Sequence, residues 1–176
     1  MNICVFCGSA AGQNPVYAST AQRFGKLLAE HGHSLVYGGG NIGLMGLVAD
    51  AVLENHGKVI GIIPSFLAER EVAHKGLTQL EIVGTMHQRK MRMAELAQAF
   101  VALPGGWGTL EEVAEILTWK QLGLIPQSVM LLNTNNFFNP LLGQMRLMVE
   151  EGFLRSENLA QLSIAQHPEE VFSMIP

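Results

Sequence analysis

The chain has 176 residues, 48% of them apolar and 15% charged, and its 11 Lys and Arg against 15 Asp and Glu leave a net charge of −4. That is one domain's worth of sequence, long enough to bury roughly 70% of its extended surface without disulfide or metal staples. The composition excludes a disordered chain, and the acidic balance excludes a broad basic surface for nucleic acid or an anionic membrane.

Residues 3–7 read as a first strand, since Ile3-Cys4-Val5-Phe6-Cys7 lacks the basic start and the cleavage site of a signal peptide. Its two cysteines, three positions apart, fall on opposite faces of a strand and neither bridge nor chelate together. No second pair completes a zinc site. The pattern fits two buried thiols in a reducing cytoplasm, with Cys7 placed at the carboxyl end to line a pocket. Helical spacing follows over 16–31, then a strand over 34–37, a helix over 44–55 and a strand over 58–63. The loop 64–78, carrying Glu69, Arg70 and Glu71, is long for a strand connection and reads either as a lid or as a link with solvated charges. A strand over 80–83, a helix over 86–98 and a strand over 100–103 come next. A helix over 110–122, a strand over 128–132, a helix over 138–151 and a last strand over 162–165 complete the pattern. Strands apolar on both faces, alternating with helices, predict an α/β fold: a Rossmann-like, doubly wound parallel sheet of about seven strands with helices on both faces, in a single domain over 1–176. No stretch approaches the roughly 20 apolar residues of a membrane-spanning helix.

Most glycines follow strands, at Gly8, Gly38-Gly39-Gly40, Gly43, Gly105-Gly106 and Gly108. In an open parallel sheet these turns gather at the carboxyl edge, where ligands bind. Gly38-Gly39-Gly40-Asn41-Ile42-Gly43 has the spacing of a dinucleotide motif, but it follows the second strand and no acidic residue stands about 20 positions on, which argues against NAD. The turn serves either to bind an anion or to let two segments pack closely. No G-K-[ST] follows a glycine run, so a P-loop is excluded.

Pro104-Gly105-Gly106-Trp107-Gly108-Thr109-Leu110-Glu111-Glu112 opens a helix, and Thr109-Leu110-Glu111-Glu112 has the form of a capping box, with Thr109 as N-cap and Glu112 at N3. The glycines ahead of it leave backbone N–H groups that the helix dipole makes attractive to phosphate. Two carboxylates facing that phosphate would repel it. A ligand role therefore demands phosphate on the turn 106–109, with Glu112 directed at another part of the ligand, as a phosphorylated sugar allows. Met86-His87-Gln88-Arg89-Lys90-Met91-Arg92 is the one dense basic cluster, with Arg89 and Arg92 a turn apart on one helical face.

With these segments in view, the sequence closely resembles the Lonely Guy (LOG) family of cytokinin-activating phosphoribohydrolases, formerly labelled lysine decarboxylases. The resemblance rests on Val5-Phe6-Cys7-Gly8-Ser9, on Gly38-Gly39-Gly40-Asn41-Ile42-Gly43-Leu44-Met45-Gly46, on Met86-His87-Gln88-Arg89-Lys90 and on the stretch from Pro104 to Glu112, and covers roughly 1–155. It implies hydrolysis of an N6-substituted adenosine 5′-monophosphate to the free base and ribose 5-phosphate. Arg89 and Glu112 match the family's catalytic pair, and Glu71, Lys90, Gly106, Gly108, Thr109, Glu111 and Thr118 match its ligand-contacting positions. Ser9, Gly40, Gly43, Gly105, Trp107 and Leu110, in the same motifs, complete the candidate substrate-binding set. The resemblance also implies a homodimer with sites near the subunit interface, which the Met-rich helix over 89–95 would suit. Trp107 stands where many relatives have tyrosine.

The chemistry asks for a carboxylate, expected at Glu112, beside an oxocarbenium-like centre, and for an Arg89 fork on the phosphoribosyl group or the base. It requires no metal and no cofactor. Trp107, Met91 and Met93 are candidates to line a slot for the N6 substituent. A general AMP nucleosidase would use the same residues, and a non-catalytic carrier of a nucleotide-like cofactor would use the same crevice. A decarboxylase would need a Schiff-base lysine, and only Lys90 lies in a motif.

Overall fold

Seven apolar runs form one parallel sheet: β1 (Asn2–Phe6), β2 (Ser34–Tyr37), β3 (Lys58–Pro64), β4 (Gln79–Val83), β5 (Ala99–Ala102), β6 (Ser128–Leu132) and β7 (Leu162–Ala165). The structure, a computed structural model, describes residues 1–68 and 73–175. Strand order is β4-β3-β2-β1-β5-β6-β7, so the winding reverses between β1 and β5. Registers pair Cys4 with Val36 on one side and with Phe100 on the other, which puts β1 at the centre. All seven expected strands are present, shifted by at most one residue at either end.

The helices are α1 (Pro15–Glu30), α2 (Gly43–Glu54), α3 (Ser65–Ala68), α4 (Met86–Leu96), α5 (Trp107–Gln121), α6 (Asn139–Glu150), α7 (Ser156–Leu159) and α8 (Pro168–Met174). The short helices α3, α7 and α8 were not legible as periodic runs, because one or two turns carry too few apolar repeats. Helix α1 starts where Asn14 accepts a hydrogen bond from the Val16 N–H at 3.0 Å and Pro15 supplies the first helical position.

Strand alternation divides the core into two layers. Ile3, Val5 and Cys7 face α1, α2 and α8, against Phe24, Leu28, Val48, Val52 and Val171. Cys4 and Phe6 face α4, α5 and α6, against Met93, Val113, Ile116 and Met145. The two cysteines thus lie on opposite faces, both unpaired and buried. Each fully buried Leu, Ile or Phe here contributes about 1.5–3 kcal/mol. Strand β4 forms an edge and leaves Ile82 64% exposed. Among the described residues no helix is long and apolar enough to cross a membrane.

Candidate active site

The reversal between β1 and β5 leaves a crevice at the carboxyl ends of the strands, the place where open α/β sheets bind ligands. A cavity of about 240 Å³ occupies it, walled by the end of β1, by Gly38 after β2 and by the first turns of α4 and α5.

Helix α4 delivers Arg89 to that cavity. Thr85 caps it by accepting from the Gln88 N–H at 3.1 Å, while Gln88 Oε1 accepts from the Gly84 N–H at 2.8 Å. This reciprocal cap sets the helix rotation so that Arg89 points inward, only 5% exposed. Its Nε donates to the Ile62 carbonyl at 3.1 Å and its Nη2 to the Gly38 carbonyl at 2.8 Å. Two bonds to rigid backbone fix the plane of the guanidinium. Arg92 does not join it: it pairs with Glu81 at 2.7 Å and with Glu95 at 3.3 Å on the outer edge of the helix. Three positions turn a helix by about 300°, so the two arginines straddle the boundary between inner and outer faces. His87 is exposed and does not line the cavity.

Helix α5 begins earlier than its periodicity indicates. Its N-cap is Gly106, which provides no side-chain cap, and the Leu110 N–H closes the first turn on the Gly106 carbonyl at 3.1 Å. The capping-box expectation is therefore corrected: Thr109 is the third helical residue. A β-carbon on Gly105 would fall 2.1 Å from Thr109 Oγ1, so the buried hydroxyl packs where a cap would have to turn outward. The amides of Trp107, Gly108 and Thr109 have no acceptor inside the helix, and these residues line the cavity. Glu112, one turn on and half-buried, lines it too. Burial, and then the Glu112 charge, push the thiols of Cys4 and Cys7 well above their ordinary range.

Glu111 faces the cavity mouth and is bonded by Lys90 Nζ, which also reaches Glu115 at 3.1 Å. Burial acts to lower the Lys90 pKa, but the hydrogen bonds to Glu111 and Glu115 outweigh it and hold the ammonium above its ordinary value.

The glycine turn after β2 serves packing. The Leu44 and Met45 N–H groups opening α2 both donate to the Gly8 carbonyl, at 3.0 and 3.3 Å. Gly43 has φ of +62°, and a β-carbon there would lie 2.3 Å from the Ser9 carbonyl carbon. Gly40 is buried, its carbonyl accepting from the Tyr37 hydroxyl at 3.0 Å.

Of the sequence-derived candidates, Ser9, Arg89, Gly106, Trp107, Gly108, Thr109, Glu111 and Glu112 line the one cavity. Gly40, Gly43, Lys90, Leu110 and Thr118 do not, and Gly105 lines a neighbouring depression beside Tyr17 and Phe137. Thr118 is exposed on α5, its hydroxyl donating to the Ala114 carbonyl at 2.7 Å. Glu71 lies outside the described residues, as do Glu69 and Arg70 of the expected lid. Trp107 is 89% exposed at the mouth, whereas Met93 is buried in the core and Met91 lies outside the cavity on the exposed face of α4, so neither methionine lines an N6 slot. Gly38, Met45, Leu67 and Met86 also line the cavity; Gly38 and Met45 stand in quoted motifs, but none of the four is among the candidate site residues. Met86 had a signal, as the residue that opens the basic motif; Leu67 had none. Among the described residues no three His, Cys, Asp or Glu side chains converge on a metal position.

A family model described as "possible lysine decarboxylase" matches residues 45–175. The rice (Oryza sativa subsp. japonica) cytokinin riboside 5′-monophosphate phosphoribohydrolase LOG is 49% identical over 155 residues, which are 88% of this chain and 64% of that protein. This chain thus spans under two thirds of the rice protein's length. The Rhodococcoides fascians protein named cytokinin riboside 5′-monophosphate phosphoribohydrolase is 43% identical over 175 residues, covering 99% of this chain and 88% of that protein. Among solved structures, the molybdenum cofactor binding protein of Rippkaea orientalis superposes with a TM-score of 0.73 at 24% identity, over 98% of this chain and 92% of that one. The molybdenum cofactor carrier protein of Chlamydomonas reinhardtii gives 0.74 at 21% identity, over 98% and 94%. These two share the fold. With a family model matching most of the chain and relatives above 40% identity along nearly all of it, the chain belongs to the LOG family.

Proposed function

We propose that the chain hydrolyses the N-glycosidic bond of N6-substituted adenosine 5′-monophosphates, releasing the free cytokinin base and ribose 5-phosphate. The observation that carries this reading is that Arg89 and Glu112, from separate helices, line one cavity beside the open N-terminus of α5. It is supported by the names of the relatives.

The 5′-phosphate sits on the amides of Trp107, Gly108 and Thr109, where helix dipole and uncovered donors act together. Glu111 would repel it, but Lys90 offsets that charge. The anchored phosphate holds the ribose against Glu112. As the base leaves, positive charge grows on the anomeric carbon; the Glu112 carboxylate stabilises it and takes a proton from the attacking water. Water oxygen bonds to that carbon, and the carbon–nitrogen bond breaks with its electron pair going to the base nitrogen. The base takes the proton that Glu112 removed from water, which returns Glu112 to its carboxylate form. Arg89, its plane already set by Gly38 and Ile62, orients the phosphoribosyl group.

A lysine decarboxylase would need Lys90 to attack pyridoxal phosphate as a free amine. Lys90 is instead held protonated between two carboxylates, so the residues do not fit that cofactor.

The active form proposed is a homodimer. Its interface is the apolar groove between α4 and the end of α5, walled by Met91, Ala94, Trp119, Leu124 and Ile125. Thr118 stands about 10 Å along α5 from Glu111, too far for the same cavity, and a neighbouring subunit's site is the one it could reach. The whole chain acts as one catalytic domain on a small nucleotide, with no nucleic acid or membrane partner. The cytoplasm is the compartment proposed, supported by two free, buried thiols.

The test is release of ribose 5-phosphate from isopentenyladenosine monophosphate, from AMP and from isopentenyladenosine, with Glu112→Gln in parallel. Preference for the first substrate, with turnover falling by about 10²-fold or more in Glu112→Gln, is the expected result. Equal turnover of AMP would make the protein a general nucleotide N-glycosidase. No release from any of the three would overturn the reading.

A further inference from the structure

His74 follows the undescribed residues 69–72 and lies buried against the glycine turn. Its backbone N–H donates to the Gly39 carbonyl at 3.0 Å, and Ala73 bridges to Gly40 in antiparallel fashion. The imidazole is held at both nitrogens. Nδ1 accepts from the Gly76 N–H at 3.0 Å, so the ring proton is on Nε2, which donates to Asp50 Oδ1 of α2 at 2.8 Å. Asp50 is half-exposed. Neither residue lines the cavity.

The turn that His74 closes on one side is the turn Arg89 holds on the other. Gly38 gives its carbonyl to Arg89 Nη2, and Gly39 and Gly40 are fastened to residues 73–74. Upstream, the same connection carries Leu67 into the cavity wall. The clamp therefore fixes the far side of the backbone from which the guanidinium takes its orientation. We propose that Asp50 and His74 are positioning residues for Arg89: the carboxylate sets the imidazole tautomer, the imidazole seats residues 73–76, and that segment keeps the Gly38 carbonyl in place. The logic is that of an outer carboxylate orienting a histidine which in turn orients a working group. It rests on the proposed hydrolase reading for its kinetic consequence, but not for its structural one.

The test compares Asp50→Ala with Asp50→Asn in the full chain. Asparagine Oδ1 still accepts from Nε2–H, whereas alanine leaves the ring without its partner. Assayed well below the melting temperature, Asp50→Ala is expected to lower kcat about tenfold while KM shifts less than about threefold, and Asp50→Asn to recover to within about twofold of wild type. A merely structural role would lower the melting temperature, with recovery in Asp50→Asn, but without this kinetic split and without a change in the exchange of the Arg89 Nε–H. A second readout needs no substrate: the exchange rate of the Arg89 side-chain Nε–H in nitrogen-15 NMR spectra, assigned by its loss in Arg89→Lys. Exchange is expected to quicken in Asp50→Ala and to return in Asp50→Asn. Unchanged exchange in Asp50→Ala, or an asparagine variant no better than alanine, overturns the proposal. Wild-type inactivity on every nucleotide would sink the hydrolase reading, and the exchange measurement would still decide the positioning role.

Discussion

A β-carbon on Gly38 would stand 2.0 Å from Nη2 of Arg89, the same nitrogen that donates to the Gly38 carbonyl at 2.8 Å. The contact is to the end of a flexible side chain, so Gly38→Ala can be accommodated by moving the guanidinium. We expect stability to change by no more than about 1 kcal/mol and activity to fall by about 10²-fold. Parallel melting curves and steady-state rates check this. Full activity would show that Arg89 works from a different orientation.

Two glycines separate ligand space from packing space. A β-carbon on Gly108 meets nothing within 4 Å, whereas one on Gly43 runs into the Ser9 carbonyl carbon from a φ of +62°. Gly108→Ala should leave the fold as stable or slightly more so, because alanine favours a helix by about 0.8–1 kcal/mol, yet raise KM by narrowing the proposed phosphate seat. Gly43→Ala should cost about 3 kcal/mol through strain and overlap. Urea denaturation and substrate titration on both variants give the contrast, and equal stability for the two would contradict the assigned roles.

The thiols set an alkaline limit on stability. Burial, reinforced by the Glu112 charge, raises the pKa of Cys4 and Cys7 in the folded state. A raised folded pKa means the contribution is whole below the unfolded value, about 8.5, and declines as pH climbs above it, because only the unfolded chain ionises there. The slope is at most about 1.4 kcal/mol per pH unit for each thiol. Urea unfolding between pH 7 and pH 10 should show this decline, reduced in Cys4→Ala and Cys7→Ala. A curve with the same slope in those variants would assign it to other groups.

The proposed dimer seam can be broken with one charge. Leu124 is 66% exposed beside the groove formed with Met91 and Trp119. Leu124→Asp should turn a dimer into a folded monomer in analytical ultracentrifugation, at little cost to monomer stability, since exposed substitutions usually stay within about 0.5 kcal/mol. If Thr118 serves a neighbouring site, turnover should fall with it. A wild-type monomer at micromolar concentration would refute the seam.

The sheet was legible because parallel strands must be apolar on both faces, and β1, β5 and β6 are nearly unbroken apolar runs. The cavity was legible in outline because three glycine turns follow strands that had to share an edge. What misled was local resemblance between patterns with different physics. Thr109 followed by Glu112 imitates a cap, but Gly106 takes that place because Thr109 packs on Gly105. The turn 38–43 could not be assigned from sequence, since the acceptor for the α2 amides is Gly8, far away in the chain. Arg89 and Arg92 look equivalent until Glu81 claims one of them. The pairing of His74 with Asp50 joins a loop to a helix 24 positions away and follows no periodicity.

The loops around the cavity are tied to one another mainly through main-chain atoms: Gly8 N–H to the Pro104 carbonyl, Leu44 and Met45 N–H to the Gly8 carbonyl, His74 N–H to the Gly39 carbonyl. A scaffold fastened in this way places few demands on the side chains that project from it. Ser9 and Trp107 both face the cavity and are exposed, so replacing either disturbs no buried contact. For the proposed hydrolase, substrate preference can therefore drift by single substitutions at the rim while the frame and the proposed pair, Arg89 and Glu112, stay as they are. The same architecture can be retuned to a new leaving group without first being rebuilt.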